Sequence, residues 1–413
     1  MDGSEVRIGT GHATRESLKF KTIMWHVLDV GSIWLKEFAA ALTPLVPAKF
    51  WSPEIRNFGR WQNWERALQS LNPRLDYTQF PLQRGYARFP IGQLLGIAPH
   101  LTARLLRSES DPKSSTLICT TPFYAPVAER WPGRVIYYLT DLAAAYPGLN
   151  RRLVEALDQR MCRVADLICP NSWQTAGYLR RTAKADTKKV VVIPNATRES
   201  NLLSSPLEGP ASLPDDLADL PRPVVAVLGN LAFNMDWLFL RETVSRTRDF
   251  SWAFVGPIDM KIRDAAMRNA RADLMKQGGR VRFTGPKPYG ELCRYARACD
   301  AAVLPYLMSE ATFACSATRF YEHLAACRPM IATRAVEELL HKEPLLKLVD
   351  NAEQAERHLR RLESCDFRDG QEEARWRASA AGTWEARAFA VVSAIGKRRP
   401  VREDQGEHNF TLA

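Results

Sequence analysis

The feature that most constrains this chain is a rhythm: short β-branched runs alternate with helical patterns throughout the second half. Val224–Leu228 precedes a helix from about Asp236, and residues 252–255 precede a basic amphipathic stretch at 261–276. Residues 281–284, 301–305 and 330–333 each lead in turn into a helical pattern near Tyr289, near Ser316 and in the acidic segment around Glu337. Such βαβα order predicts a parallel sheet covered on both faces. Residues 22–27, Thr116–Cys119, 135–139, 167–169 and 190–193 give the first half the same grammar. The fold class expected is therefore α/β, with two doubly wound, Rossmann-like parallel-sheet domains, and 413 residues are enough to bury two such cores.

Between the halves, residues 204–223 hold Pro206, Pro210, Pro214, Pro221 and Pro223 among several acids, a composition that reads as an interdomain linker. The expected organisation is a first domain at 1–203, the linker at 204–223 and a second domain at 224–370. A helix at 371–396 crosses back to the first domain, and a polar tail occupies 397–413.

Net charge is +11, which suits nucleic acid, an anionic membrane face or a phosphorylated small molecule. Residues 1–200 carry +10 of it and residues 201–413 only +1, so the surplus belongs to one half. That asymmetry argues for an anionic membrane surface or acceptor met by the first half, and against nucleic acid. The segments 33–51 and 94–107 mix apolar residues with cations, as interfacial surfaces do and as helices packed on a sheet also do. The eight cysteines form no Cys-x-x-Cys pair, the first 20 residues contain no apolar leader, and no run approaches the ~18 apolar residues of a membrane span. A cytoplasmic protein, peripheral on the inner face of a membrane if it meets one, is the expectation.

In doubly wound sheets ligands sit beyond the carboxyl ends of the strands. The loop after residues 301–305 runs into Ser316-Ala317-Thr318-Arg319-Phe320-Tyr321-Glu322. Ser316 is an N-cap candidate, so the helix start would offer amides to an anion. Arg319 and Glu322, three apart, share a face, giving a cation for phosphate and a carboxylate for a diol. Phosphate plus ribose is what a nucleoside diphosphate presents; a solvated Arg/Glu pair is the plain alternative.

The stretch SATRFYEHLAACRPMIAT at 316–333 resembles the donor-site segment of the glycosyl transferases group 1 family and its GT-B-fold relatives. Ala165-Asp166-Leu167-Ile168 with Pro170-Asn171-Ser172, Ile193-Pro194-Asn195, Val227-Leu228-Gly229-Asn230, Val255-Gly256-Pro257, Phe283-Thr284-Gly285 and Trp384-Glu385-Ala386-Arg387 resemble further family segments in order. The likeness spans roughly residues 115–395 and implies a GT-B architecture, two domains facing a cleft with the acceptor bound by the first and the donor by the second.

The implied activity is transfer of a sugar from a nucleoside diphosphate-sugar, of UDP or GDP type, to a hydroxyl acceptor. The acceptor would be a saccharide or lipid-linked saccharide of cell-surface or exopolysaccharide synthesis. By the resemblance, Arg319 neutralises the diphosphate, Glu322 binds the ribose, Ser316, Ala317 and Thr318 offer amides, and Gly229 and Asn230 let the backbone approach the donor. Lys287 stands where the nucleobase loop belongs, or is an ordinary surface lysine.

Two departures accompany the likeness: Ala314 replaces a Glu found eight positions before the ribose-binding one in many relatives, and Ala196 replaces the glycine of the Pro-Asn-Gly turn. They keep open a non-catalytic nucleotide-sugar or polysaccharide-binding subunit, and the shared fold keeps open a nucleotide-sugar epimerase as the rival within the enzyme class.

In the first half Asp141 follows the apolar run 135–139, where GT-B enzymes carry a strand-end acid or base; it is the candidate general base, a sugar contact or a helix cap. Asp29, Gly31 and Ser32 end the first run and form a possible acceptor or diphosphate loop, or a plain turn. The glycines at 9 and 11 lack the last glycine of a dinucleotide fingerprint, and no Walker A sequence occurs. No Asp-x-Asp occurs either, so neither a metal nor a further cofactor is expected.

Overall fold

The structure is a computed structural model that describes residues 23–29, 31–57, 60–61, 77–83, 98–109, 111–146, 148–232, 234–258 and 262–397. The glycines at 9 and 11, residues 94–97 of the basic segment and the tail from 398 lie outside them.

The chain forms two compact units. The first is made of Met1–Asn171, Thr175–Ile193 and Trp384–Ala413, and the second of Ser172–Gln174 and Pro194–Thr383. In the first, β1 (Trp25–Leu28), α1 (Ile33–Leu42), β2 (Ala48–Asn57), β3 (Arg60–Trp61), β4 (Tyr77–Gln83) and α2 (Ala98–Arg107) precede β5 (Thr116–Cys119) and β6 (Arg134–Leu139). Next come α3 (Arg151–Val164), β7 (Leu167–Pro170) and α4 (Trp173–Arg181). The sheet runs β3-β2-β1-β5-β6-β7, with β4 also pairing β2, and every pairing is parallel except β2 with β3. β1, β5 and β7 are buried along their whole length, as a strand covered on both faces must be. Residues 190–193 give only a bridge from Val190 to Ile168 and backbone bonds to β7, not a strand of their own.

The second unit runs β8 (Val224–Leu228), α5 (Trp237–Arg246), β9 (Ser251–Val255), α6 (Ala265–Gln277), β10 (Val281–Gly285), α7 (Leu292–Ala298) and β11 (Ala301–Leu304). It continues through α8 (Thr318–Ala325), β12 (Met330–Thr333), β13 (Lys347–Val349), α9 (Ala352–Glu363) and α10 (Glu372–Ala381). Its sheet is wholly parallel in the order β10-β9-β8-β11-β12-β13. The reversal lies between β8 and β11, the switch point at which such sheets bind ligands. Asp236 and Asp264 cap α5 and α6, each accepting an N–H three residues on.

The proline-rich stretch 204–223 is part of the second unit, and the units part earlier, at Ile193/Pro194. Leu217 and Leu220 are buried in the core beside Val224 and Tyr295. Arg222 pairs with Asp300 at 2.6 Å, and Asp216 with Lys287 at 2.7 Å. The expected terminal helix is two helices: α10 belongs to the second unit, while α11 (Trp384–Gly396) belongs to the first and packs on α1. Arg134 Nη1 donates to Ile395 O at 3.1 Å there. Among the described residues no helix is long and apolar enough to cross a membrane.

Candidate active site

In the second unit the sequence-named residues gather at the carboxyl ends of β8 and β11. Gly229 leaves β8 at φ +91°, a conformation that L side chains avoid, and a Cβ there would lie 3.1 Å from Arg319 Nε. Gly256, after β9, is needed for the same loop, since its Cβ would fall 2.0 Å from Gly229 O. Arg319 is 9% exposed. Its Nε donates to Leu228 O at 2.5 Å, its Nη2 donates to Asn230 O, and its guanidinium lies 5.1 Å from the Tyr306 ring centroid. The cation is thus locked against the glycine loop, a preformed positive charge at the switch point.

Glu322, one turn on and 3% exposed, accepts the Tyr289 hydroxyl on Oε1 at 2.5 Å and the Asn201 amide on Oε2 at 3.2 Å. Tyr289 carries Arg198 over its ring at 5.3 Å. The neighbouring His323 is fully buried with no partner for either ring nitrogen; burial first, and then Arg319, pushes it down to about 3, so it is a neutral ring.

Ser316 is not the N-cap. That position falls to Ala317, which has no side-chain oxygen, and α8 starts at Thr318. The Ser316 hydroxyl donates to Glu338 Oε2 at 2.8 Å and accepts Asn195 N–H at 2.9 Å. The Ala317 amide also donates to Glu338 Oε2, at 3.0 Å, and the Thr318 amide to Ser316 O, at 3.1 Å. The amides of Ala317 and Thr318 are therefore occupied within the protein, and the anion at the start of α8 is an internal one. Sequence reasoning missed Glu338; the available signal was an acidic cluster just after a strand end. Ala314 is buried, and its carbonyl accepts the Ser172 hydroxyl at 2.6 Å. Lys287 holds Asp216 and lies 5.8 Å over the Tyr295 ring.

In the first unit Asp29 follows β1 at φ 61° and receives the Tyr124 hydroxyl at 3.1 Å. Burial pushes it from 3.8 to about 6 against the pull of that bond. Gly31 sits close, its would-be Cβ 3.1 Å from Asp29 Oδ1, and Ser32 caps α1 through Leu35 N–H at 3.4 Å. Asp141 follows β6 and is likewise pushed by burial from 3.8 to about 6, held by hydrogen bonds with Tyr146 and Thr140. β1 and β6 flank β5, so the two acids end strands ~10 Å apart in the sheet. Burial thus lifts both carboxyls above the usual carboxylate range, towards neutrality.

A glycosyltransferase from Rickettsia africae superposes with a TM-score of 0.66 over 91% of this chain and 99% of its own, at 14% identity. Anabaena HepE, solved with UDP-glucose, gives 0.63 over 90% and 99% at 15% identity, and TarM gives 0.58 over 91% and 99% at 9%. The fold is that of the GT-B glycosyltransferases. No family model matches. A curated relative, the putative teichuronic acid biosynthesis glycosyltransferase TuaH of Bacillus subtilis, is 24% identical over 208 residues, 48% of this chain and 50% of TuaH. The chain thus spans about half the length of the curated relative it matches. In GT-B terms, the switch point of the second sheet holds Gly229, Asn230, Arg319 and Glu322, and the strand ends of the first hold Asp29 and Asp141.

Proposed function

We propose that the chain is a glycosyltransferase that moves a sugar, a hexose by preference, from a nucleoside diphosphate-sugar of UDP or GDP type to a hydroxyl acceptor. The observation that carries this reading is the locked Arg319 beside Gly229 with Glu322 one turn away, a cation and a diol acceptor at a switch point. In it Arg319 meets the leaving diphosphate, Glu322 takes the ribose hydroxyls, and the loop at Gly229 and Asn230 lies against the phosphates. Asp141 removes the acceptor proton, and the loop of Asp29, Gly31 and Ser32 meets acceptor or diphosphate. The lack of any Asp-x-Asp favours transfer without a bound divalent metal.

HepE was solved with UDP-glucose, and the name of TuaH refers to teichuronic acid. These support a nucleotide-sugar donor and a saccharide or lipid-linked saccharide acceptor of cell-surface or exopolysaccharide synthesis. The +10 carried by residues 1–200 supports peripheral contact with an anionic membrane on its cytoplasmic face. A thermal-shift panel of UDP, GDP, ADP and dTDP tests the donor reading. One of them at 100 times its Kd adds about 2.7 kcal/mol of stability, and no shift with any of the four refutes it.

A further inference from the structure

Glu338 lies in the helical turn Glu337–His341 after β12 and is 7% exposed. Three donors converge on its carboxylate: the Ser316 hydroxyl at 2.8 Å and the Ala317 amide at 3.0 Å on Oε2, and the Tyr321 hydroxyl on Oε1. It therefore grips α8 on both sides of Arg319, through the two residues before the helix and through its first turn. The chain of bonds continues outward, since Ser316 Oγ accepts Asn195 N–H at 2.9 Å. The Asn195 side-chain amide donates to Ser316 O at 3.1 Å and to the Thr318 hydroxyl at 2.9 Å.

Helix starts need a partner for their first amides, and the local sequence supplies none at Ala317. An acid twenty-one residues downstream provides it. The electrostatic consequence is specific: a fixed negative charge already fills the amide next to the helix start, so a ligand phosphate is turned away from Ala317 and towards Arg319 and the loop at Gly229.

We infer that Glu338 is a positioning residue for the diphosphate of the donor. It does not touch the ligand; it sets the start of α8, and with it Arg319, and it reserves the Ala317 amide. The inference rests on the donor-site reading above.

The test is titration calorimetry of the full chain with UDP and GDP, and with uridine and guanosine as probes that lack phosphate, alongside melting curves. Glu338→Ala is expected to weaken the bound nucleoside diphosphate tenfold or more while changing nucleoside affinity less than twofold. Glu338→Gln can still accept from Ser316 and Ala317 through its one oxygen and turn its NH2 to the Tyr321 oxygen, so it is expected to restore affinity to within threefold of wild type. If Glu338→Ala fails to fold, Ser316→Ala and Tyr321→Phe each remove one donor and are expected to cost two- to fivefold in diphosphate affinity alone. Unchanged diphosphate affinity in a folded Glu338→Ala, or equal losses for diphosphate and nucleoside, overturns the positioning role. Failure of the wild type to bind either diphosphate overturns the UDP- or GDP-type donor reading, and this inference with it, before any variant is compared.

Discussion

The two units treat the carboxylates of their candidate sites in opposite ways. In the second, Glu322 and Glu338 each take hydrogen bonds on both oxygens from side chains or backbone fixed by the fold. In the first, Asp29 and Asp141 sit beyond strand ends where burial outweighs the few donors they have, and both are pushed up to about 6. A carboxylate ringed by donors is fixed in place and direction, which serves recognition. One pushed towards neutrality trades a proton readily, which serves chemistry. The difference teaches a division of labour on the proposed reading: a preformed donor site on one sheet and proton handling on the other.

The comparison breaks most visibly at Asp141. Asp141→Asn is expected to lower transfer by roughly 10²–10⁴-fold while leaving donor affinity within twofold; turnover close to wild type would reduce Asp141 to a cap. Arg319→Lys comes next, with a loss of tenfold or more in nucleoside diphosphate affinity. An ammonium cannot hold Leu228 O and Asn230 O together and cover the Tyr306 ring. Calorimetry that finds equal affinities would separate the locked guanidinium from donor binding.

The raised carboxyls sharpen the contrast through pH. Transfer should fall as pH drops through about 6, where Asp141 and Asp29 take up protons, while affinity for a nucleotide-sugar, whose phosphates do not titrate there, changes far less than transfer does between pH 5 and 8. Stability carries the opposite sign. An acid raised in the fold from 3.8 to about 6 costs nothing below about pH 4 and costs most above about 6. Asp141→Asn should therefore stabilise the protein by about 3 kcal/mol at pH 8 and leave it unchanged below pH 4, read from denaturant curves. The smallest effect expected is that of Gly229→Ala, a loss of about 1–2 kcal/mol from the positive φ and the approach to Arg319, seen as a lowered melting temperature.

Much of the second sheet was legible because each strand is a short apolar run followed by a helix cap, as at Asp236 and Asp264. In the first unit β2 and β4 escaped notice, since Pro53 and Pro81 punctuate them; the structure pairs Pro53 with Phe80 and Glu54 with Pro81. The stretch 204–223 misled for a related reason. Its prolines report extended backbone but not partners some eighty residues away, such as Asp300 for Arg222. Arg319, Glu322 and Gly229 could be named from spacing and resemblance, and the geometry supplied their partners. Glu338 stood in the acidic cluster after β12 but could not be read as a cap, because the bond it gives the start of α8 comes from outside the helix. A local reading therefore assigned the cap to Ser316.

The most direct test of the division of labour is titration calorimetry of UDP- and GDP-sugars against the wild type, Asp141→Asn and Glu322→Ala in parallel. The account predicts that one donor binds, that Asp141→Asn binds it as the wild type does, and that Glu322→Ala binds it at least tenfold more weakly. Loss of donor affinity in Asp141→Asn with full affinity in Glu322→Ala, or no binding of either donor by the wild type, would contradict it.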